Sequence, residues 1–170
     1  MQLLVLRPDY HSSSELEKLQ KQLYLSSSKR ALQPPHIPLL AYKNTSPLQL
    51  KAAIEQLMPT IDCPVFSTND IGFSKAEGRF YLLVNPNHSL TELYQSLQLS
   101  SQQYLADSPP ATVWMPHIPL IDGVQAPFWG PLFARLALEA APLKGTLAAV
   151  ECWSVVNDRT TIEWSLFFDS

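Results

Sequence analysis

Two histidines in this chain share a five-residue context, Pro-His-Ile-Pro-Leu, which surrounds both His36 and His117. The chain has only four histidines in 170 residues, and these two lie 81 positions apart, close to half the chain length. Imidazole gives or takes a proton near neutral pH, so a histidine pair can act as general base and general acid. Repetition at a fixed spacing indicates duplicated structural units. Two lobes related by a pseudo-twofold axis would bring both imidazoles to one cleft.

Other kinds of catalytic or metal site are not indicated. The sequence has no local signature of a Ser/His/Asp set, no His-x-x-x-His pair and no glycine-rich phosphate loop. Cys63 and Cys152 lack a CxxC spacing, so neither a zinc site nor a disulfide framework is expected. We therefore expect no metal and no cofactor. A structural explanation remains for each histidine, as a buried polar residue hydrogen-bonded to backbone, but the matched pair favours function.

Composition limits the classes of partner. A hydrophobic content of 46% with 16% charged residues is typical of a folded globular domain. A net charge of −3 argues against a protein that coats long stretches of nucleic acid, although it allows contact with a single phosphate. The apolar start is too short for a signal peptide, and no stretch reaches membrane-spanning length. We expect a cytoplasmic monomer that contacts no membrane.

Hydrophobic periodicity and turn signals predict alternating strands and helices. Capping boxes (Ser14 with Glu17, Ser46 with Gln49, Ser89 with Glu92) start three helices. The remaining predicted elements are strands at 2–6, 36–42 and 112–121, a helix at 130–141, and hairpins at 64–74/79–85 and 146–156/160–168. In each half, a histidine strand is followed by a helix and a hairpin, which we expect to share one lobe. The predicted fold is α+β, with residues 1–170 forming one bilobal domain of two antiparallel sheets around a cleft and helices packed outside.

This element order and the two motifs resemble the two-histidine (2H) phosphoesterase superfamily, which includes 2′-5′ RNA ligase-like proteins and cyclic phosphodiesterases. That family carries two His-x-Thr/Ser-x motifs, one per lobe, on strands lining the cleft. Residues 34–39 and 115–120 resemble them, and the element order matches over nearly the whole chain. The resemblance implies action on a 2′,3′-cyclic phosphate or related phosphodiester of an RNA end or small nucleotide, with His36 and His117 as the acid/base pair.

The chain departs from the family at both hydroxyl positions, which are Pro38 and Pro119. In the family these hydroxyls bind phosphate, whereas proline offers neither a hydroxyl nor a backbone N–H. Each lost hydrogen bond to an anion costs roughly 1.5–3 kcal/mol. Side chains two apart on a strand share a face, so both prolines should line the cleft. The alternative function is accordingly a catalytically degenerate 2H domain that binds a ligand or partner.

Four further residues are candidate ligand contacts because they follow the motifs. Tyr42 and Lys43 follow the first motif, and Phe128 and Trp129 follow the second. Aromatic faces stack on bases and lysine can neutralise a phosphate, although structural packing is the favoured explanation for any one of these residues. Trp153 and Trp164 are interpreted as core or cross-strand residues, and Arg79, beside a turn, as a solvated side chain.

Overall fold

The computed structural model describes residues 1–24, 32–105 and 113–169, and these contain seven strands and four α-helices. The strands are β1 (Gln2–Pro8), β2 (Ile37–Tyr42), β3 (Val65–Ser74), β4 (Arg79–Val84), β5 (His117–Ile121), β6 (Leu143–Val156) and β7 (Arg159–Phe167). The helices are α1 (Tyr10–Leu23), α2 (Pro47–Glu55), α3 (His88–Ser100) and α4 (Trp129–Glu139), with short 3-10 helices at Met58–Thr60, Gln102–Tyr104 and Ala126–Phe128. The predicted α+β class is confirmed. Of the strand predicted at 112–121, residue 112 lies outside the described ranges.

All strand pairs are antiparallel and follow the order β2-β1-β6-β3-β4-β5, with β7 added beside β6. Strand β6 pairs with different strands along its two parts. Its residues 143–146 pair with β3, whereas the residues from 147 onward pair with β1 and β7. We call β2-β1-β6-β7 the first half-sheet and β6-β3-β4-β5 the second half-sheet. Where the sequence predicts two sheets, the hydrogen bonds join both through β6, since its 14 residues are long enough to reach both.

The two hairpins are exchanged between the half-sheets. Hairpin β3–β4 follows the His36 strand in the chain, yet it pairs with β5, the strand of His117. Hairpin β6–β7 follows the His117 strand and pairs with β1, beside the His36 strand. The expectation that each histidine strand shares a lobe with the hairpin that follows it is therefore wrong. Each half-sheet combines a motif strand from one half of the chain with a hairpin from the other.

The two ends of the strand order, β2 and β5, contact each other. Just before β5, the indole Nε1 of Trp114 donates a hydrogen bond to the carbonyl oxygen of Pro38 in β2, at 3.1 Å. The Trp114 ring also stacks on Tyr94 of α3, with 4.5 Å between ring centroids. Twist carried through a multi-stranded sheet curls it, and here the curled sheet brings the two motif strands together.

Alternation along β4 and β5 separates a core face from a cleft face. Phe80, Leu82 and Ile118 are buried at 0–4% exposure. Tyr81, between Phe80 and Leu82, and His117, next to Ile118, are partly exposed. Helix α1 contacts β5, β6 and α4, while α2 contacts β6, β7 and α3. Side chains alternate between the two faces of a strand. One face of the second half-sheet therefore packs in the core, and the opposite face is available to form a site.

Candidate functional site

The two motif histidines make the same hydrogen bond. His36 Nδ1 lies 2.8 Å from the carbonyl oxygen of Pro34, and His117 Nδ1 lies 2.9 Å from that of Met115. A carbonyl oxygen only accepts, so each Nδ1 carries the proton and donates it. In the neutral form, each ring therefore keeps its Nε2 as a proton acceptor. The two histidines share the same tautomer as well as the same sequence context.

His36, immediately before β2, is 2% exposed, and its ring packs against Trp153 with centroids 4.4 Å apart. Burial lowers the pKa of His36 to about 4, because desolvation disfavours the imidazolium. The positive charges of His117 and Arg79 lower it further, whereas the hydrogen bond to Pro34 and the negative charge of Asp122 act in the opposite direction. At pH 7 His36 is thus a neutral base.

Those interactions also locate His36 relative to the second half-sheet. His117 and Asp122 lie on and just after β5, and Arg79 begins β4. All three act electrostatically on the His36 imidazole, and β2 contacts β5 directly. The groups of the first motif, the second motif and the start of β4 therefore share one neighbourhood.

Tyr81 on β4 lies beside the histidine of the second motif. Its ring centroid lies 5.1 Å from that of His117, and Tyr81 is the cross-strand partner of Pro119. His117 and Pro119 are both partly exposed, while Ile118 between them is fully buried. His117, Pro119 and Tyr81 consequently lie on one face of the second half-sheet, as the period-two alternation of strands requires.

Arg79 is held by carboxylates, so the prediction that it is solvated is wrong. Its Nε and Nη2 donate to the two oxygens of Asp122, the second at 3.1 Å, and its Nη1 lies 3.4 Å from Glu77 Oε2. The Arg79 side chain is 25% exposed. Two carboxylates offset its single positive charge, which reduces its capacity to bind an added phosphate.

A buried carboxylate supports the first motif. Glu151 on β6 is fully buried and accepts hydrogen bonds from Trp153 Nε1 and Ser165 Oγ, both at 2.9 Å. It also forms an ion pair with Arg7 at 3.0 Å. The indole that packs on His36 is therefore fixed through its ring nitrogen. Buried charges persist when they are paired and hydrogen-bonded in this way.

Pro38 lies on β2 with its missing amide directed away from the neighbouring strand β1. Pro38 pairs with Val5 of β1 on one side, while its carbonyl oxygen accepts from Trp114 on the other. Because N and O of one strand residue point the same way, the missing Pro38 amide faces β5 and not β1. Both prolines are partly exposed. Neither supplies a donor to the cleft.

Tyr42 and Lys43 lie away from the histidines, so the structure does not support them as ligand contacts. Tyr42 is 0% exposed, and its hydroxyl shares a 2.7 Å hydrogen bond with Ser101 Oγ in the core. Lys43 is exposed beyond the end of β2. A strand rises about 3.3 Å per residue, so Lys43, seven residues after His36, lies up to roughly 23 Å from it.

Trp129 makes structural contacts with the core, and its role as a ligand contact stays a prediction. It packs against the core, with its ring 5.1 Å from Phe73 and its Nε1 donating to Val124 O at 2.8 Å. Phe128 is 43% exposed on the 3-10 helix before α4. Among the described residues, no aromatic ring contact joins Phe128 to either histidine.

Sequence reasoning missed Tyr81, Glu151 and Trp114 as parts of this neighbourhood. One signal was available for Tyr81, since Arg79, Tyr81 and Leu83 alternate with apolar residues and so mark one face of the hairpin. Trp153 was interpreted as a core residue, and its 1% exposure agrees. Its contact with His36 depends on strand pairing that no local pattern specifies.

Within the described ranges, no group of three or more His, Cys, Asp or Glu side chains is placed to hold a metal ion. In the same part of the chain, no helix is both long and apolar enough to cross a bilayer.

Comparison with known proteins identifies the architecture. The chain superposes on E. coli LigT in its apo form with a TM-score of 0.65, covering 98% of this chain and 96% of that one at 15% identity. The fold is that of LigT. LigT complexed with 3′-AMP gives a TM-score of 0.61 at 15% identity over 98% and 97% of the two chains. A protein described as a phosphoesterase gives 0.64 at 14% identity over 98% of each chain. No protein-family model and no curated protein matches the chain significantly.

The shared LigT fold confirms the fold expected from the resemblance to 2H phosphoesterases, over essentially the full length of both chains. At 15% identity this likeness concerns the fold. The chemistry has to be argued from the side chains.

Proposed function

We propose that this protein is a two-histidine phosphoesterase that opens 2′,3′-cyclic phosphates or related phosphodiesters on RNA ends or small nucleotides. The proposal depends chiefly on the matched Nδ1 hydrogen bonds of His36 and His117, at 2.8 and 2.9 Å. They leave two Nε2 atoms for proton transfer in one neighbourhood. The shared fold supports a nucleotide ligand, since LigT itself has been crystallised with phosphate and with 3′-AMP.

The different environments of the two histidines suggest their roles. His36 is neutral at pH 7 because burial lowers its pKa to about 4, so it takes the proton of the attacking water. The water oxygen bonds to phosphorus as the bond to the ribose oxygen breaks. His117, which is partly exposed, acts as the imidazolium with a proton on each ring nitrogen, and it gives its Nε2 proton to that leaving oxygen. The product is a 2′- or 3′-monophosphate. A bound phosphate anion would also raise the pKa of His36 and make it a stronger base.

Hydrolysis of 2′,3′-cyclic AMP and 2′,3′-cyclic CMP tests this function. We expect release of a single monophosphate isomer, because one fixed acid can protonate only one of the two ribose oxygens efficiently. The products are separated by chromatography over a range of pH. Turnover of neither nucleotide, with protein shown to be folded, would contradict the proposal.

A second function, binding without turnover, is favoured by one observation. His36 is only 2% exposed, and proline replaces both phosphate-binding hydroxyls. In that case the domain would hold a ligand between the half-sheets without transferring protons. It predicts saturable ligand binding that is unaffected by removing either imidazole.

Replacing Pro119 with threonine separates these functions. If the cleft still serves phosphate chemistry, Pro119→Thr restores one donor and raises kcat/KM roughly tenfold, near the lower end of the worth of a hydrogen bond to an anion. Pro38→Thr is a less clean test, since it changes the residue whose carbonyl binds Trp114. Loss of activity in Pro119→Thr would mean that the cleft fits a different ligand.

A further inference from the structure

We propose that Tyr81 contacts the substrate phosphate and replaces, on the side of His117, the hydroxyl that Pro119 lacks. This inference rests on the proposed phosphoesterase function and names a residue of the same site that neither motif contains. It starts from the strand register. Tyr81 on β4 is paired with Pro119 on β5, so the two side chains are neighbours on one face of the sheet.

The position of the Tyr81 ring fits this role. Its centroid lies 5.1 Å from that of His117, and Tyr81 is only partly exposed. One phosphate placed between the two rings would accept hydrogen bonds from Nε2 of the protonated His117 and from the Tyr81 hydroxyl. Phenol is a good donor to an anionic oxygen, because hydrogen bonds to charged groups are the stronger ones.

The other donors near the two histidines are already engaged. Arg79 is committed to Asp122 and Glu77. The donor groups of Trp153 and Ser165 point to Glu151. In contrast, no residue in the described ranges hydrogen-bonds the Tyr81 hydroxyl. The Tyr81 hydroxyl is thus a neutral donor that is free to bind a ligand, whereas the nearby cation Arg79 is paired with carboxylates.

Gly72 leaves the space in which the Tyr81 ring lies. Gly72 on β3 is the cross-strand partner of Tyr81, and a Cβ at residue 72 would collide with three carbons of the Tyr81 ring. The Gly72 backbone has no positive φ, so glycine is not required by conformation. A glycine inside a strand weakens it and often marks a close approach. Here the close approach is that of the Tyr81 ring.

The first test is Tyr81→Phe, which removes one oxygen and keeps the ring. We expect the dissociation constant for inorganic phosphate, measured by calorimetry, and KM for 2′,3′-cyclic AMP both to rise roughly tenfold or more. Tyr10→Phe is the matched control, since Tyr10 is 91% exposed at the start of α1. Unchanged phosphate affinity in Tyr81→Phe would overturn the inference.

The second test is rescue. If Tyr81 stands in for the motif hydroxyl, Pro119→Thr should restore most of the phosphate affinity that Tyr81→Phe loses, whereas a purely structural tyrosine would not be rescued. Gly72→Ala should weaken phosphate binding in the wild type and have no further effect in Tyr81→Ala, because the two changes act through one ring. Additive losses in the double variant would contradict the inference.

These measurements also distinguish failure of this inference from failure of the proposed function. Normal turnover with an unaltered KM in Tyr81→Phe would refute the role of Tyr81 and leave the phosphoesterase standing. Tyr81-dependent phosphate binding without any turnover would refute the phosphoesterase and support the Tyr81 contact.

Discussion

Replacing His36 or His117 with glutamine is expected to lower kcat/KM for 2′,3′-cyclic nucleotide hydrolysis by roughly 100- to 10,000-fold, the usual contribution of a positioned proton-transfer group. A glutamine is similar in length and polarity, but its amide nitrogen takes the place of Nε2 and not of Nδ1, which bonds the carbonyl of Pro34 or Met115. It cannot take or give a proton at neutral pH. Initial rates across pH 4–9 measure the effect.

The pH profile assigns the two roles. The acid limb of kcat/KM belongs to the base, so it should lie near pH 4 in the wild type, where His36 titrates, and disappear in His36→Gln. His117→Gln should lower the rate and leave the acid limb in place. His88→Gln is the matched control, since His88 is 87% exposed on α3 beside Glu92. A single variant at His36 or His117 with the rate of the wild type would refute the paired mechanism.

Replacing Trp153 with leucine is expected to raise the pKa of His36 from about 4 toward its ordinary 6.5. The indole covers the imidazole at a centroid distance of 4.4 Å, and its removal admits water that stabilises the imidazolium. The acid limb of kcat/KM should move up with it. Truncating this side chain should also lower the free energy of unfolding, by less than the roughly 3–5 kcal/mol that truncation of a buried aromatic residue to alanine costs.

Trp164→Leu is the matched control for Trp153→Leu. Trp164 is also buried, at 9% exposure, and its Nε1 donates to Pro47 O at 2.7 Å, so its loss should be destabilising as well. It has no ring contact with His36, and the pKa of His36 should stay near 4. If both variants shifted His36 equally, the local cause assigned to Trp153 would be wrong.

The lowered pKa of His36 also affects acid stability. Unfolded chains bind a proton at His36 near pH 6.5, whereas the folded protein does so only near pH 4. The free energy of unfolding therefore falls by about 3 kcal/mol as pH drops through this window. Denaturant unfolding of the wild type and His36→Gln at pH 7 and pH 4 isolates this contribution, which only the wild type should lose.

Local sequence signals predicted the elements well where the partners are also local. The box of Ser46 and Gln49 is present at the start of α2 with both of its hydrogen bonds. The turn at Asn157 and Asp158 has positive φ at both residues, as a two-residue hairpin turn requires. These features depend on neighbours within a few residues, so the sequence contains them.

Two other helix starts were predicted too late. Helix α1 is capped by Asp9, not Ser14, and Asp9 also accepts a hydrogen bond from the Thr146 amide at 2.8 Å. Helix α3 is capped by Asn87, not Ser89. The Asp9 cap is favoured because its carboxylate satisfies a strand as well as a helix. Such a partner, 137 residues away, leaves no local signal.

The residues of the candidate site also differ in whether the sequence could predict them. Repetition alone predicted His36 and His117, and the fold brings their strands together. Arg79 was misjudged because a charged residue beside a turn is usually solvated, and its partner Asp122 is 43 residues away. The crossed hairpins have a physical reason too. β1 occupies one edge of β2, and Pro38 removes an amide from the other, so β3 pairs elsewhere.

The central claim is that His36 and His117 act on one phosphate through their Nε2 atoms. Nitrogen-15 NMR of histidine-labelled protein, with inorganic phosphate titrated in, tests it most directly. We predict that both neutral rings carry the proton on Nδ1, and that phosphate shifts the Nε2 resonances of both histidines with one dissociation constant. Independent dissociation constants, or no shift at His36 when His117 responds, would contradict a shared site.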